Sequence, residues 1–371
     1  MEDGGRPAER KCSFLNYRRT IFFLFFFSFF VILYSLNVIE TSNSWTEKIW
    51  SHYVNATSQI KLPNSTLKKL FFDWSAKRTT TVMATSTAPP LPPPDYKSPG
   101  AFYVEYPYKY KFIINEPTGC EKLKPFLVLI VPVAPQNIED RRIIRETWGA
   151  QKTVSDKNIA VFFLLGLGNA DENELLKESK QYQDVIQSDF MDCYKNLTIK
   201  TMVMMEWLDA YCPQASYAMK IDSDIFLNLP KLMEMLQSAQ KTNYLSGLVE
   251  RAAIVQRSTT SKWYIPREVY DGDTFPPYTL GLAYVFSRDL PKKLVEAARE
   301  VKALCIEDVF LGMCMRHLGL SPTDPTVHGA FHVFPFAYNR CQYSRIVATV
   351  LDVHTDRRQL WKDFSKPEPY C

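Results

Sequence analysis

Tyr217-Ala218-Met219-Lys220-Ile221-Asp222-Ser223-Asp224-Ile225-Phe226-Leu227 decides how this chain is read. Its first five residues make a strand-like run that ends in two carboxylates one residue apart. Two acids leaving a strand together have few structural partners. They form a hard-oxygen site suited to Mg²⁺ or Mn²⁺ carrying a diphosphate. A second acidic pair, Glu307-Asp308, opens the helix-like run Val309-Phe310-Leu311-Gly312. The helix dipole favours acids there with no chemistry involved. The chemical alternative is that one of them takes a proton from an incoming hydroxyl.

Upstream of the triplet, apolar runs alternate with polar, helix-prone segments. Phe126-Leu127-Val128-Leu129-Ile130-Val131 and Ile159-Ala160-Val161-Phe162-Phe163-Leu164-Leu165 are continuous enough to be strands buried on both faces. Between and after them, residues 139–148, 169–182 and 199–211 read as helices, and 184–187 as a short strand. Residues 230–240 read as a helix with Pro230 in its first turn. Such alternation predicts a largely parallel, right-handed α/β sheet, with ligands beyond the carboxyl ends of its strands. Asp222 and Asp224 fall at such an end. No G-x-G-x-x-G or Walker loop is present.

The chain has 371 residues, and 44 Lys+Arg against 40 Asp+Glu give a net charge of +4. That near balance makes no case for nucleic acid. Ile21 to Ile39 is uncharged and Phe-rich, and as a helix would span about 28 Å, close to the bilayer's hydrocarbon thickness. Arg6, Arg10, Lys11, Arg18 and Arg19 precede it, whereas Glu40 and Glu47 follow. The positive-inside rule then makes residues 1–20 a cytosolic tail and 21–39 a transmembrane signal anchor, with the rest in a lumen. Residues 40–119, with Ala88-Pro89-Pro90-Leu91-Pro92-Pro93-Pro94 and two sequons at Asn55 and Asn64, read as a disordered stem. A third sequon starts at Asn196. Residues 120–371 read as the catalytic domain. Cys12 is cytosolic in this scheme, and the other cysteines are odd in number, so at least one is free or pairs between chains.

In the order they stand, six segments resemble the β-1,3-galactosyltransferase family, glycosyltransferase family 31. They are Arg141-Arg142-Ile143-Ile144-Arg145-Glu146-Thr147-Trp148, residues 189–201 (Asp189 to Thr201), and Lys220-Ile221-Asp222-Ser223-Asp224-Ile225-Phe226. Lys262-Trp263-Tyr264-Ile265-Pro266, Pro277-Tyr278 with Gly281 and residues 284–287, and Glu307-Asp308-Val309-Phe310-Leu311-Gly312 complete the set. The resemblance implies a GT-A type, Rossmann-like mixed α/β sheet flanked by helices, a UDP-sugar donor, Mn²⁺, and an inverting single displacement. It makes Asp308 the catalytic base, ionised near neutral pH like an ordinary aspartate. Asp224 matches the direct metal ligand, and Asp222 supports the nucleotide side. Arg141 and Arg145 are candidates for the uracil or diphosphate pocket, with solvated helix arginines as the alternative. Trp263 is a candidate for stacking on a sugar, and core packing is its alternative.

Three departures from the family pattern stand out. Ser223 occupies the middle of the usual D-D-D. Thr279-Leu280-Gly281-Leu282-Ala283 replaces the common Cys-Ser-Gly-x-Gly, crowding a close backbone approach and depriving a cysteine of its mate. The late histidine that completes the metal site aligns without gaps to Val350; His354 could substitute by a register slip, and His328 and His332 are further candidates. The resulting expectation is a Golgi type II β-1,3-galactosyltransferase using UDP-galactose and Mn²⁺ on a terminal GlcNAc or GalNAc of a glycoprotein or glycolipid. Its membrane contact is the single span, and a homodimer is left open. A β-1,3-N-acetylglucosaminyltransferase and a catalytically silent glycan-binding paralogue are the alternatives.

Overall fold

A computed structural model describes residues 99–371 other than His328 and Glu368. The cytosolic tail, the anchor at 21–39, Cys12, the sequons at Asn55 and Asn64, and His328 lie outside the described residues. Among the described residues no helix is long and apolar enough to cross a membrane.

In chain order the elements begin with β1 (Phe112–Ile114), α1 (Gly119–Leu123), β2 (Leu127–Pro132), α2 (Ile138–Glu146) and β3 (Thr153–Val154). Next come β4 (Lys157–Leu167), α3 (Glu172–Tyr182), β5 (Val185–Met191), α4 (Leu197–Tyr211), β6 (Tyr217–Ile221), β7 (Ile225–Leu227) and α5 (Leu229–Gln237). The chain ends with β8 (Leu245–Glu250), β9 (Tyr278–Ser287), α6 (Leu290–Ala297), α7 (Glu307–His317), β10 (Phe331–His332), α8 (Arg340–Tyr343), β11 (Ala348–Val350) and α9 (Arg357–Phe364).

The main sheet runs β1-β5-β4-β2-β6-β9-β8, with β3 paired to β4. Its centre, β5-β4-β2-β6, is parallel, as the alternation of runs predicts. Its flanks are antiparallel: β1 on β5, β9 on β6 and β8 on β9. The sheet is therefore mixed. The apolar runs sort by parity, because successive strand side chains point to opposite faces. Val128, Ile130, Ala160, Phe162 and Leu164 join a core beneath α4, α6 and α7. Leu127, Leu129, Val131, Ile159, Val161, Phe163 and Leu165 join the core on the other face. α4 is buried nearly all round (Met202, Met204, Met205, Trp207 and Leu208 are almost solvent-free), which is why its apolar residues show no single stripe.

Two helix starts follow their local chemistry. The Asp171 carboxylate accepts from the backbone N–H groups of Asn173 and Glu174 to cap α3, and Asn228 caps α5 with Pro230 in the first turn. The packed region also begins before residue 120. Val104 and Tyr106 are buried, and β1 pairs with β5, so the Tyr-rich segment after residue 99 is part of the head rather than of a stem.

A second, three-stranded sheet, β10-β11-β7, sits after the acidic triplet. It brings the C-terminal segment against the strand that follows Asp224. Disulfides join Cys120 to Cys212 and Cys341 to Cys371, while Cys193, Cys305 and Cys314 are free. The odd cysteine count thus leaves three thiols. Thr198 is fully buried, its hydroxyl donating to Leu304 O, and the Asn196 side-chain amide donates to Met191 O.

Candidate active site

The antiparallel pairing of β6 with β9 builds the cleft floor. Its register sets Lys220 against Tyr284 and Ile221 against Ala283, so Asp222 leaves the sheet beside Leu282 and Gly281. The Asp222 N–H donates to Leu282 O at 3.0 Å, fixing that exit. Lys220, 6% exposed, donates its ammonium to Asp222 Oδ1 at 2.7 Å and also to Gly281 O. A nearly buried cation needs such partners. Gly281 in turn donates its N–H to Asp308 Oδ2 at 3.2 Å. Asp222, Lys220, Gly281 and Asp308 therefore form one continuous chain of contacts, and the two acids are its ends.

Asp308 sits in the first turn of α7, where its Oδ1 accepts from Val309 N–H at 2.9 Å. α7 approaches β9 closely because residue 312 is glycine; a Cβ there would stand 2.7 Å from the Tyr278 Cβ. Gly281 meets a similar constraint, since a Cβ would stand 2.9 Å from Glu307 Oε2 and 3.6 Å from Asp308 Oδ2. Glu307 is buried behind Asp308, accepting from the Tyr284 hydroxyl at 2.7 Å and the Thr201 hydroxyl at 2.9 Å.

This setting changes the expected acidity of Asp308. Burial, and next the negative charge of Glu307, push its carboxyl up to about 6, against the pull of the Val309 and Gly281 N–H groups and of Lys220. Asp308 is thus a stronger base than the unperturbed aspartate expected from the sequence, and still ionised near neutral pH. A base poised near the working pH exchanges protons more readily than a weak one.

The triplet itself is held from behind. Ser223 O accepts from Arg357 Nη1 at 2.9 Å, Asp224 O from Leu351 N–H at 3.1 Å, and Ile225 O from Trp148 Nε1 at 3.1 Å. β11 lies antiparallel to β7 with Val350 opposite Ile225. The residue brought next to the acidic strand is thus apolar Val350. His354 lies past it on an exposed turn, its N–H bound to Asp352 Oδ1 at 2.8 Å. Among the described residues, no three of His, Cys, Asp and Glu group closely enough to hold a metal, so His354 is not gathered with Asp222 and Asp224. His332 is half-buried in β10, its ring 5.2 Å from that of Phe336.

The two arginines are committed elsewhere. Arg141 is fully buried, bidentate to Glu178 at 2.7 and 2.6 Å, and donates to Ala134 O and Pro135 O. Arg145 pairs with Asp184 and Glu178, its guanidinium 4.0 Å from the Tyr182 ring centre and 4.7 Å from that of Phe163. Together they fasten α2 to α3 and to the start of β5. As placed, their donors are taken by Glu178, Asp184 and the carbonyls of Ala134 and Pro135. Trp263 is half-buried in the segment between β8 and β9, outside the core clusters, with Lys262 Nζ 4.1 Å over its ring. Ala283 is fully buried and packs into the core, so it does not crowd the cleft. Thr279 is buried, and its hydroxyl oxygen has no hydrogen-bond partner among the described residues.

Sequence reasoning passed over Lys220, Thr201 and Tyr284. Lys220 carried a signal: a lysine inside an otherwise apolar strand, two residues before an acid, needs a buried partner. Thr201 and Tyr284 carried none, because their contacts with Glu307 are purely tertiary.

Comparison with known proteins identifies the family. The galactosyltransferase family profile matches residues 139–326. Over 323 residues the chain is 34% identical to beta-1,3-galactosyltransferase 2 of Pongo abelii, covering 84% of this chain and 74% of that one. It is 37% identical over 249 residues to the Homo sapiens beta-1,3-galactosyltransferase 2, covering 65% of this chain and 59% of the relative. It is 36% identical over 265 residues to beta-1,3-galactosyltransferase 1 of Mus musculus, covering 70% and 80% of the two chains.

Proposed function

We propose that this chain, which belongs to the galactosyltransferase family and is a hexosyltransferase, moves galactose from UDP-galactose to the 3-hydroxyl of a terminal GlcNAc or GalNAc with inversion. The observation that carries the proposal is the contact chain from Asp222 through Lys220 and Gly281 to Asp308. It supports a donor diphosphate at the end of β6 and a base at the start of α7 sharing one sugar between them, as a GT-A arrangement requires.

Asp308 accepts the proton of the acceptor 3-hydroxyl as the oxygen attacks. Its two backbone N–H contacts fix the carboxylate's direction, and Glu307, braced by Tyr284 and Thr201, keeps it basic enough to act. Lys220 holds Asp222 Oδ1, which ties the triplet to the β9 backbone and leaves the metal role to Asp224. Carboxylate oxygens from Asp224, with Asp222 beside it, would hold a hard divalent cation such as Mn²⁺ or Mg²⁺. When bound, the ion offsets the charge that builds on the departing nucleoside diphosphate. Trp263 is the proposed apolar platform for a sugar ring. With the anchor at residues 21–39 as read from sequence, the head works in the Golgi lumen.

Two outcomes follow. Transfer by the purified full-length chain, assayed with UDP-galactose, UDP-GlcNAc and Mn²⁺ across several acceptors, runs with UDP-galactose; turnover with UDP-GlcNAc alone assigns the other donor, and none with either contradicts a working enzyme. The pH profile of kcat/KM should also show an acid limb near 6. The sign follows from the role: a base must be unprotonated, so the rate is full above that value and falls about tenfold per pH unit below it. Glu307→Gln removes the negative charge that raises Asp308, so the limb moves to lower pH. A limb that stays in place removes Glu307 from this role.

A further inference from the structure

We infer, on the donor reading of the acidic triplet given above, that Arg357 and Asp140 are positioning residues that hold Asp222-Ser223-Asp224 in its donor-receiving shape, and that residue 223 must be uncharged for them to do so. Arg357, on α9, donates Nη1 to the Ser223 carbonyl and Nη2 to Asp140 Oδ1. Asp140, on α2, accepts the Ser223 hydroxyl on its other oxygen at 3.3 Å. The three groups close a triangle in which one guanidinium reads both the backbone of residue 223 and the carboxylate that faces its side chain. Both charged side chains are mostly shielded, at 21% and 26% exposure, so their pairing is screened less than a surface ion pair.

The triangle is one part of a wider hold. The carbonyls of residues 223, 224 and 225 are each taken by a different element: α9, the residue after β11, and the turn after α2. These holders come from distant parts of the chain. Leu351 and Arg357 lie beyond residues 139–326, the span of the family profile. The C-terminal segment is itself pinned by the Cys341–Cys371 disulfide and by Arg340, which donates to the carbonyls of Lys366, Pro367 and Pro369. The geometry thus makes the last part of the chain a brace for the donor site.

An aspartate at 223 would set a second carboxylate against Asp140, where like charges repel and compete for one guanidinium. A serine there donates instead. This gives a test that does not depend on deleting a structural residue. UDP affinity in Mn²⁺ is measured by titration calorimetry on the full-length chain carrying Arg357→Ala, Ser223→Asp, Ser223→Asp with Asp140→Asn, and Asp224→Ala as reference. Arg357→Ala and Ser223→Asp each weaken UDP binding about tenfold, the size of one charge-assisted hydrogen bond. Adding Asp140→Asn to Ser223→Asp brings the affinity back to within about threefold of the parent, because the repelling charge is gone while the donor to residue 223 remains. A general folding defect would not be reversed by that second change. Should Arg357→Ala not fold, the Ser223 and Asp140 pair carries the test alone. Unchanged affinity in Ser223→Asp, or a double variant no better than the single one, overturns the inference while a weakened Asp224→Ala leaves the donor reading standing. Unchanged affinity in Asp224→Ala brings down the donor reading, and the brace with it.

Discussion

Asp308→Asn lowers kcat by about 10³-fold and leaves UDP affinity within about twofold of the parent chain. The size is that of a lost general base, which contributes typically 10²–10⁴. Asparagine keeps the shape of the side chain and can still accept from one of the two N–H groups that the carboxylate now satisfies, Val309 or Gly281. It cannot receive the acceptor's proton. Because the interaction lost is made only as the hydroxyl attacks, kcat and kcat/KM fall together while the acceptor KM holds. Asn at 308 also leaves one N–H facing an amide NH₂, so some loss of stability accompanies the change. Melting temperature measured beside activity separates the two effects. A variant with near-parental turnover would remove Asp308 from the mechanism.

Asp224→Ala weakens UDP binding by about 10- to 100-fold in the presence of Mn²⁺ and has little effect in its absence. The contrast between the two conditions is the informative part. A carboxylate that acts through a divalent ion should matter only when the ion is present, whereas one that merely shapes the turn should matter in both. The backbone hold on residues 223–225 works through main-chain carbonyl oxygens, which are unchanged in the alanine variant, so the turn keeps its path. Equal affinity for UDP with and without Mn²⁺ in both parent and variant would contradict metal ligation at Asp224.

Much of the fold is legible in the sequence, for a physical reason. Strands buried on both faces must be apolar at every position, and β2 and β4 announced themselves in that way. The helix caps and Pro230 marked boundaries by local chemistry. The antiparallel flanks were less legible. β9 carries Gly281 in mid-strand, and β7, β10 and β11 are short enough that their pairing rests on contacts between segments far apart in the chain.

The same distinction runs through the site. Asp222, Asp224 and Asp308 were singled out by residue type and position, and the sheet register and α7 connect the β6 end to Asp308. Arg141 and Arg145 read as pocket candidates or solvated helix arginines, because their partners, Glu178 and Asp184, lie 37 and 39 residues away with no local signal joining them. The raised pKa of Asp308 depends on burial and on Glu307, and only the folded chain supplies the burial. Val350 and His354 differ by register, and here β11 sets Val350 opposite Ile225 while His354 lies on the turn beyond it.

The most direct test of the whole account is the anomeric configuration of the product. The full-length chain is incubated with UDP-galactose, an α-glycoside, Mn²⁺ and a GlcNAc-terminated acceptor, and the new linkage is read by proton NMR. A single displacement driven by Asp308 from the face opposite the diphosphate gives a β-linked galactose on the 3-oxygen. An α-linked product would contradict it.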